Sequence, residues 1–170
     1  MNAALVALCL GNFAVGTATM VVPGMLPALA DGLDVGIPDA GRLIAAFALT
    51  IAVFGPGLAS AVSHVDRRRL LAGTLLMLFA SLAASAFATD YRMLVATRVV
   101  SAACAGLFTS QAAGTAALLV EPMRRGSAVA FVFLGWSIAA VFGMPVSAWI
   151  AEAFGWRTAF AAVAAVALVS

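Results

Sequence analysis

The sequence predicts an all-α membrane protein, a bundle of six hydrophobic helices, and three observations predict it. Hydrophobic residues make up 65% of the 170 residues and charged residues only 9%. Soluble domains carry about 45–50% and about 25% respectively, so a soluble fold of this length would leave a large apolar excess facing water. Charges and turn residues then cut the chain into apolar runs of about 20 residues, the length of helix that crosses a hydrocarbon core. Finally, the basic residues are nine arginines with no lysine, and most of them stand in short connections between those runs.

The first run, 3–30, carries no charge. It lacks a positive segment ahead of it and exceeds the apolar core of a signal peptide, so it is predicted as the first spanning helix. The second run covers 42–62, the third 70–89 and the fourth 91–120, with Arg98 inside it. The fifth covers 126–151 and the sixth 157–170, still apolar at Ser170. At about 1.5 Å per residue the sixth does not cross a core of about 30 Å, so the sequence is expected to stop within that span.

Alternate connections face the same side of a membrane. The second and fourth hold Arg67, Arg68, Arg69, Arg124 and Arg125, and the opposite side holds Arg42, Arg92 and Arg157. The positive-inside rule puts the clustered arginines and the N-terminus in the cytoplasm, with the chain multi-pass in the inner membrane. A short repeat, Ala-Val-Phe-Gly, occurs at 52–55 and again at 140–143, each time close to a proline, Pro56 or Pro145. The offset maps the second span onto the fifth and predicts two three-helix units of opposite topology.

Several functions are excluded by what is missing. No basic face large enough for nucleic acid exists. Cys9 and Cys104 sit in apolar runs at a spacing that supports neither a disulfide nor a metal site. The single histidine, His64, has no carboxylate or nucleophile at a spacing that suggests catalysis, so no enzyme activity, metal or cofactor is expected.

Arg98 lies seven residues past Tyr91, about 10 Å along the helix. An intramembrane charge of this kind usually faces a polar pathway. Asn12, Thr17, Thr19, Thr109, Ser110, Gln111 and Trp136 are the other candidates for a cavity wall, Asn12 and Gln111 being the costliest to leave facing lipid. Pro23, Pro27, Pro56 and Pro145 each remove a backbone hydrogen bond and bend a helix. Gly106 and Gly143 allow close helix approach.

The ordered set of these features resembles the major facilitator superfamily, nearly throughout the chain. The stretch Ser63-His-Val-Asp66-Arg67-Arg68-Arg69 is similar to the family's basic loop between its second and third helices, with Ala59, Ser63 and His64 replacing its first Gly, Asp and first Arg. Residues 98–106, beginning Arg-Val-Val-Ser and ending in Gly106, resemble the fourth-helix motif of drug:proton antiporters. Gly143-Met144-Pro145, followed by Ser147 and Ala148, resembles the fifth-helix motif of antiporters. Gly155-Trp156-Arg157 resembles the start of the sixth helix. In the first helix, Gly16-Thr-Ala-Thr19-Met20 is similar to a Gly-Thr-Thr-Glu-Phe stretch, with Thr19 in place of the Glu.

The resemblance implies the N-terminal half of a twelve-helix transporter in the sugar-efflux, arabinose-permease-like and chloramphenicol-resistance branch. It implies export of a small drug-like or sugar-like solute by alternating access, coupled to protons. Arg98 would then be the electrostatic element, spans one, two, four and five the cavity wall, and the basic loop the gating contact to the absent C-terminal half. A half-size transporter working as a homodimer, and a membrane scaffold that transports nothing, are the alternative expectations.

Overall fold

The computed structural model describes residues 3–62 and 65–170, with positions 56, 59 and 60 described by backbone alone. Every regular element among them is helical: α1 (Ala3–Gly24), α2 (Leu26–Leu33), α3 (Ile37–Ala61), α4 (Arg67–Ala86), α5 (Tyr91–Leu118), α6 (Arg125–Ile138), α7 (Met144–Phe154) and α8 (Trp156–Val169). A 3₁₀ turn, Pro122–Arg124, leads into α6, and one π turn, Ala139–Gly143, joins α6 to α7. Among the described residues, five helical stretches are long and apolar enough to cross a membrane: Ala3–Gly24, Ile37–Gly55, Arg67–Ala86, Tyr91–Leu118 and Pro122–Phe154. Trp156–Val169 is apolar but shorter.

The first apolar run is two helices rather than one. It breaks at Met25, two residues after Pro23, and restarts with Pro27 in the first turn of α2, where a missing N–H costs nothing. Conversely, α3 begins ahead of its apolar run. Pro38 occupies the first turn, and Asp39 there sits favourably against the positive end of the helix dipole. Asp66 and Asp90 cap α4 and α5, accepting from the Arg69 and Met93 amides at 3.0 and 2.7 Å.

Helix α1 is the central element, packed against α3, α5, α6, α7 and α8. Its core face runs from Leu8 through Ala14, Val15 and Ala18 to Val22. The closest approach is to α6, where a Cβ on Gly135 would collide with the Cys9 carbonyl oxygen. Further along, Ala139 and Trp136 close on Gly16, and Gly143 faces Thr17. Small residues at four-residue spacing give backbones this proximity. The π turn directly precedes Met144-Pro145, and it absorbs the clash a proline ring makes with the carbonyl four residues back.

One end of the bundle is tied by polar contacts. The Tyr91 hydroxyl donates to the Asp39 carbonyl at 2.8 Å, and Arg157 Nη2 donates to the Ala88 carbonyl at 3.0 Å. Arg157 also lies 4.2 Å from the Trp156 ring, which stacks edge-on with Phe160. Gly155, at φ +87°, makes the turn between α7 and α8 in the left-handed region that glycine tolerates. The outer faces are apolar: Leu49, Val53 and Phe54 on α3, Leu76 and Met77 on α4, and Val146 and Trp149 on α7 are exposed.

Candidate functional site: a buried arginine beside an open cleft

Arg98 projects from α5 two turns past the Asp90 cap and is 1% exposed. Its Nη1 donates to the Ala18 carbonyl on α1 at 3.0 Å. Its guanidinium carbon lies 4.3 Å from the centre of the Phe47 ring on α3. Its Nε has no hydrogen-bond partner among the described residues. Arg98 is also the one buried charged side chain among those residues; the other buried polar side chains are neutral, from Asn12 to Ser147. A cation at the bilayer centre costs about 2.5–3.5 kcal/mol on insertion scales, so a carbonyl and a ring face are modest compensation.

One turn beyond Phe47 on α3, and two beyond Arg98 on α5, an open cleft of about 420 Å³ begins. Val15 and Thr19 of α1, Ile51 of α3, Ala105 and Thr109 of α5, and Phe133 and Trp136 of α6 line it. Arg98 therefore lies past one end of the cleft and not in its wall. Thr19 donates to the Val15 carbonyl at 2.9 Å. Thr109 donates to Asn12 Oδ1 at 3.4 Å, and Asn12 Nδ2 donates to the Val132 carbonyl at 3.2 Å. Asn12, wholly buried, thus bridges α5 and α6 through α1, behind the cleft.

The remaining candidates are dispersed. Thr17 is buried, bonded to the Phe13 carbonyl, and lines a separate apolar groove of about 170 Å³ with Gly143 and Ser147. Gln111 is half-buried on α5 and stands outside the lining of the 420 Å³ cleft. Ser110 is exposed and bonds the Leu107 carbonyl. Gly106 faces Ile51 where α5 meets α3. Pro145 is exposed in the first turn of α7, and Pro56 lies within the backbone of α3.

Of the basic loop, Ser63 and His64 lie outside the described residues, as does the Ala59 side chain. Asp66, Arg67 and Arg68 are exposed on the first turn of α4. They line one end of a groove of about 700 Å³ whose walls come from α1, α4 and α5.

Two features were not among the candidate site residues read from the sequence. One is Phe47. The other is a hydroxyl ladder between α4 and α5, in which Ser81 and Ser101 are 2.8 Å apart and Ser85 donates to Thr97 at 2.8 Å. Ser81 with Ser85 and Thr97 with Ser101 each repeat at four residues, a polar stripe that helical spacing makes visible.

The arrangement defines a class: a multi-pass helical membrane protein with a polar-edged cleft and a buried cation. The sequence profile of the Major Facilitator Superfamily matches residues 8–170, and the chain belongs to that family. It is 35% identical over 170 residues to the inner membrane transport protein YdhP of Escherichia coli, covering 100% of this chain and 44% of YdhP. It is 36% identical over 151 residues to a chloramphenicol resistance protein of Streptomyces lividans, covering 89% of this chain and 38% of that one. A chloramphenicol efflux pump of Mycobacterium tuberculosis is 36% identical over 158 residues, covering 91% of this chain and 38% of the pump. The chain thus spans about two-fifths of the length of the relatives it matches.

Proposed function

We propose that the whole protein exports a small, drug-like organic solute across the cytoplasmic membrane by alternating access, coupled to protons. The observation that carries this reading is the cleft between α1, α3, α5 and α6, edged by Thr19, Thr109 and Trp136, with the buried charge of Arg98 beyond its end. An intramembrane cation held at the cost of burial is a functional-site signature. Efflux pumps among the relatives support the direction of transport.

In this reading the chain is the N-terminal half of a twelve-helix fold, built from two inverted three-helix units with α8 in the sixth span. The N-terminus and the arginine-rich end of α4 face the cytoplasm. The cleft is half of the solute cavity. Asn12 holds its wall together, while Thr17 and Gln111 line neighbouring surfaces. Arg98 sets the local potential felt by an acidic proton carrier in the rest of the protein. Asp66, Arg67 and Arg68, with Ser63 and His64, form the gating contact to the other half. Pro56, Gly106, Gly143 and Pro145 are the flexure and packing points.

Everted membrane vesicles test the reading. With an imposed inward-acid proton gradient, vesicles containing the protein should accumulate chloramphenicol, and Arg98→Gln vesicles should not. Equal accumulation with and without the protein would defeat it.

A further inference from the structure

Arg98 is held by a contact with a residue outside the candidate site read from the sequence. Three helices meet at its guanidinium: α5 supplies the arginine, α1 the Ala18 carbonyl, and α3 the Phe47 ring. One hydrogen bond and one ring face meet a group with five N–H donors, and Nε is left without a hydrogen-bond partner among the described residues. Phe47 is itself only 4% exposed, so ring and cation are both removed from water. Desolvation is the condition under which attraction between a cation and a π face is strongest.

We propose that Phe47 is a positioning residue for Arg98. The negative face of its ring holds the guanidinium in the α1–α3–α5 junction and keeps Nη1 on the Ala18 carbonyl. Without that face the arginine loses one of its two local partners, and its long side chain turns towards the nearest polar surface. The functional consequence rests on the reading of Arg98 as the electrostatic element of transport; the contact itself rests on geometry. Phe47 is also the point at which a displacement of α3 relative to α5 reaches the charge directly.

Ring fluorination separates this role from simple space-filling. Successive fluorines withdraw the negative charge from the ring face while leaving its shape and raising its hydrophobicity. The experiment places 4-fluoro-, 3,5-difluoro- and 3,4,5-trifluorophenylalanine at position 47 of the reconstituted protein, alongside Phe47→Trp and Phe47→Leu.

Two readouts are followed. One is the water-exchange rate of the Arg98 Nε–H, measured by nitrogen-15 NMR on arginine-labelled protein and assigned by its loss in Arg98→Gln. The other is chloramphenicol flux, split into KM and maximal rate. Exchange is expected to quicken and the maximal rate to fall stepwise with fluorine number, by about tenfold at the trifluoro ring. The thermal midpoint should hold or rise, and Phe47→Trp should retain both properties. Exchange indifferent to fluorination, or Phe47→Leu indistinguishable from the unsubstituted protein, overturns the proposal. Absence of flux in the unsubstituted protein overturns the transport reading instead, and the Nε–H exchange then decides the role of Phe47 alone.

Discussion

Gly135 of α6 lies against the backbone of Cys9 in α1 with no room for a side chain, because a Cβ there would meet the Cys9 carbonyl oxygen. Gly135→Ala should therefore force α1 and α6 apart and cost about 1–3 kcal/mol, the range for overpacking a tight contact. Gly73 on α4 is the control, since nothing lies within 4 Å of its Cβ position. Gly73→Ala should stabilise by up to about 1 kcal/mol through helix propensity. Opposite shifts of the unfolding midpoint in detergent would establish the contrast; a neutral Gly135→Ala would show that the α1–α6 contact is looser than described.

The hydroxyl ladder should behave as two independent rungs. Ser81→Ala and Ser101→Ala, which break the same 2.8 Å contact, should each cost about 0.6 kcal/mol and be less than additive together. Ser81→Ala with Thr97→Val touches both rungs and should be close to additive. Double-mutant cycles on unfolding free energy distinguish the patterns.

Asp66 accepts from the Arg69 amide at 3.0 Å at the start of α4, beside three arginines that oppose the helix dipole. Asp66→Ala should fray that turn at a cost of about 1 kcal/mol, while Asp66→Asn, which still caps, should cost less. Hydrogen exchange at the Arg69 amide is the direct measurement. Protection there that survives Asp66→Ala would rule out the cap.

Arg98 should trade stability for activity. Its burial without a carboxylate among the described residues means that Arg98→Met, similar in length and apolar, is expected to hold or raise the unfolding midpoint. On the proposed transport reading, the same substitution should lower flux of the exported solute, tested with chloramphenicol, at least about tenfold, the loss expected when an interaction worth about 1.4 kcal/mol is removed. A protein that both unfolds earlier and transports normally would reverse this assignment of the arginine.

The five long apolar helical stretches were legible because apolar length and interrupting charge are one-dimensional signals. Their edges were less so. Asp39 and Gly41 read as loop because they are polar or small, yet they lie within α3, whose first turn tolerates Pro38 and favours Asp39. Arg67–Arg69 read as connection, yet the Asp66 cap turns them into helix. At the site, Arg98 was legible as a charge in an apolar run, whereas its partners were not. The Ala18 carbonyl is backbone and carries no sequence signal, and Phe47 is one of 11 phenylalanines. Thr19, Thr109 and Trp136 were legible as polar or aromatic residues, but only the packing of α1, α5 and α6 assembles them on one cleft and leaves Thr17 and Gln111 off it. Pro145 marked a distortion without revealing its form.

The π turn before that proline also sets the angular phase of everything after it. Gly135, Ala139, Gly143, Ser147 and Ala151 are all buried, an unbroken period of four over four steps. In a regular helix each such step precesses by about 40°, so the last of these residues would sit well over a quarter-turn around the cylinder from the first. The wider turn cancels part of that precession and holds one seam against the neighbouring helices. Deleting a single residue between 139 and 143 would remove the surplus residue that the wider turn holds and let the segment relax to regular α-helix with Ser147 and Ala151 still on the seam, whereas inserting one residue there would turn them away from it by about 100° and bring the exposed Trp149 flank round in their place.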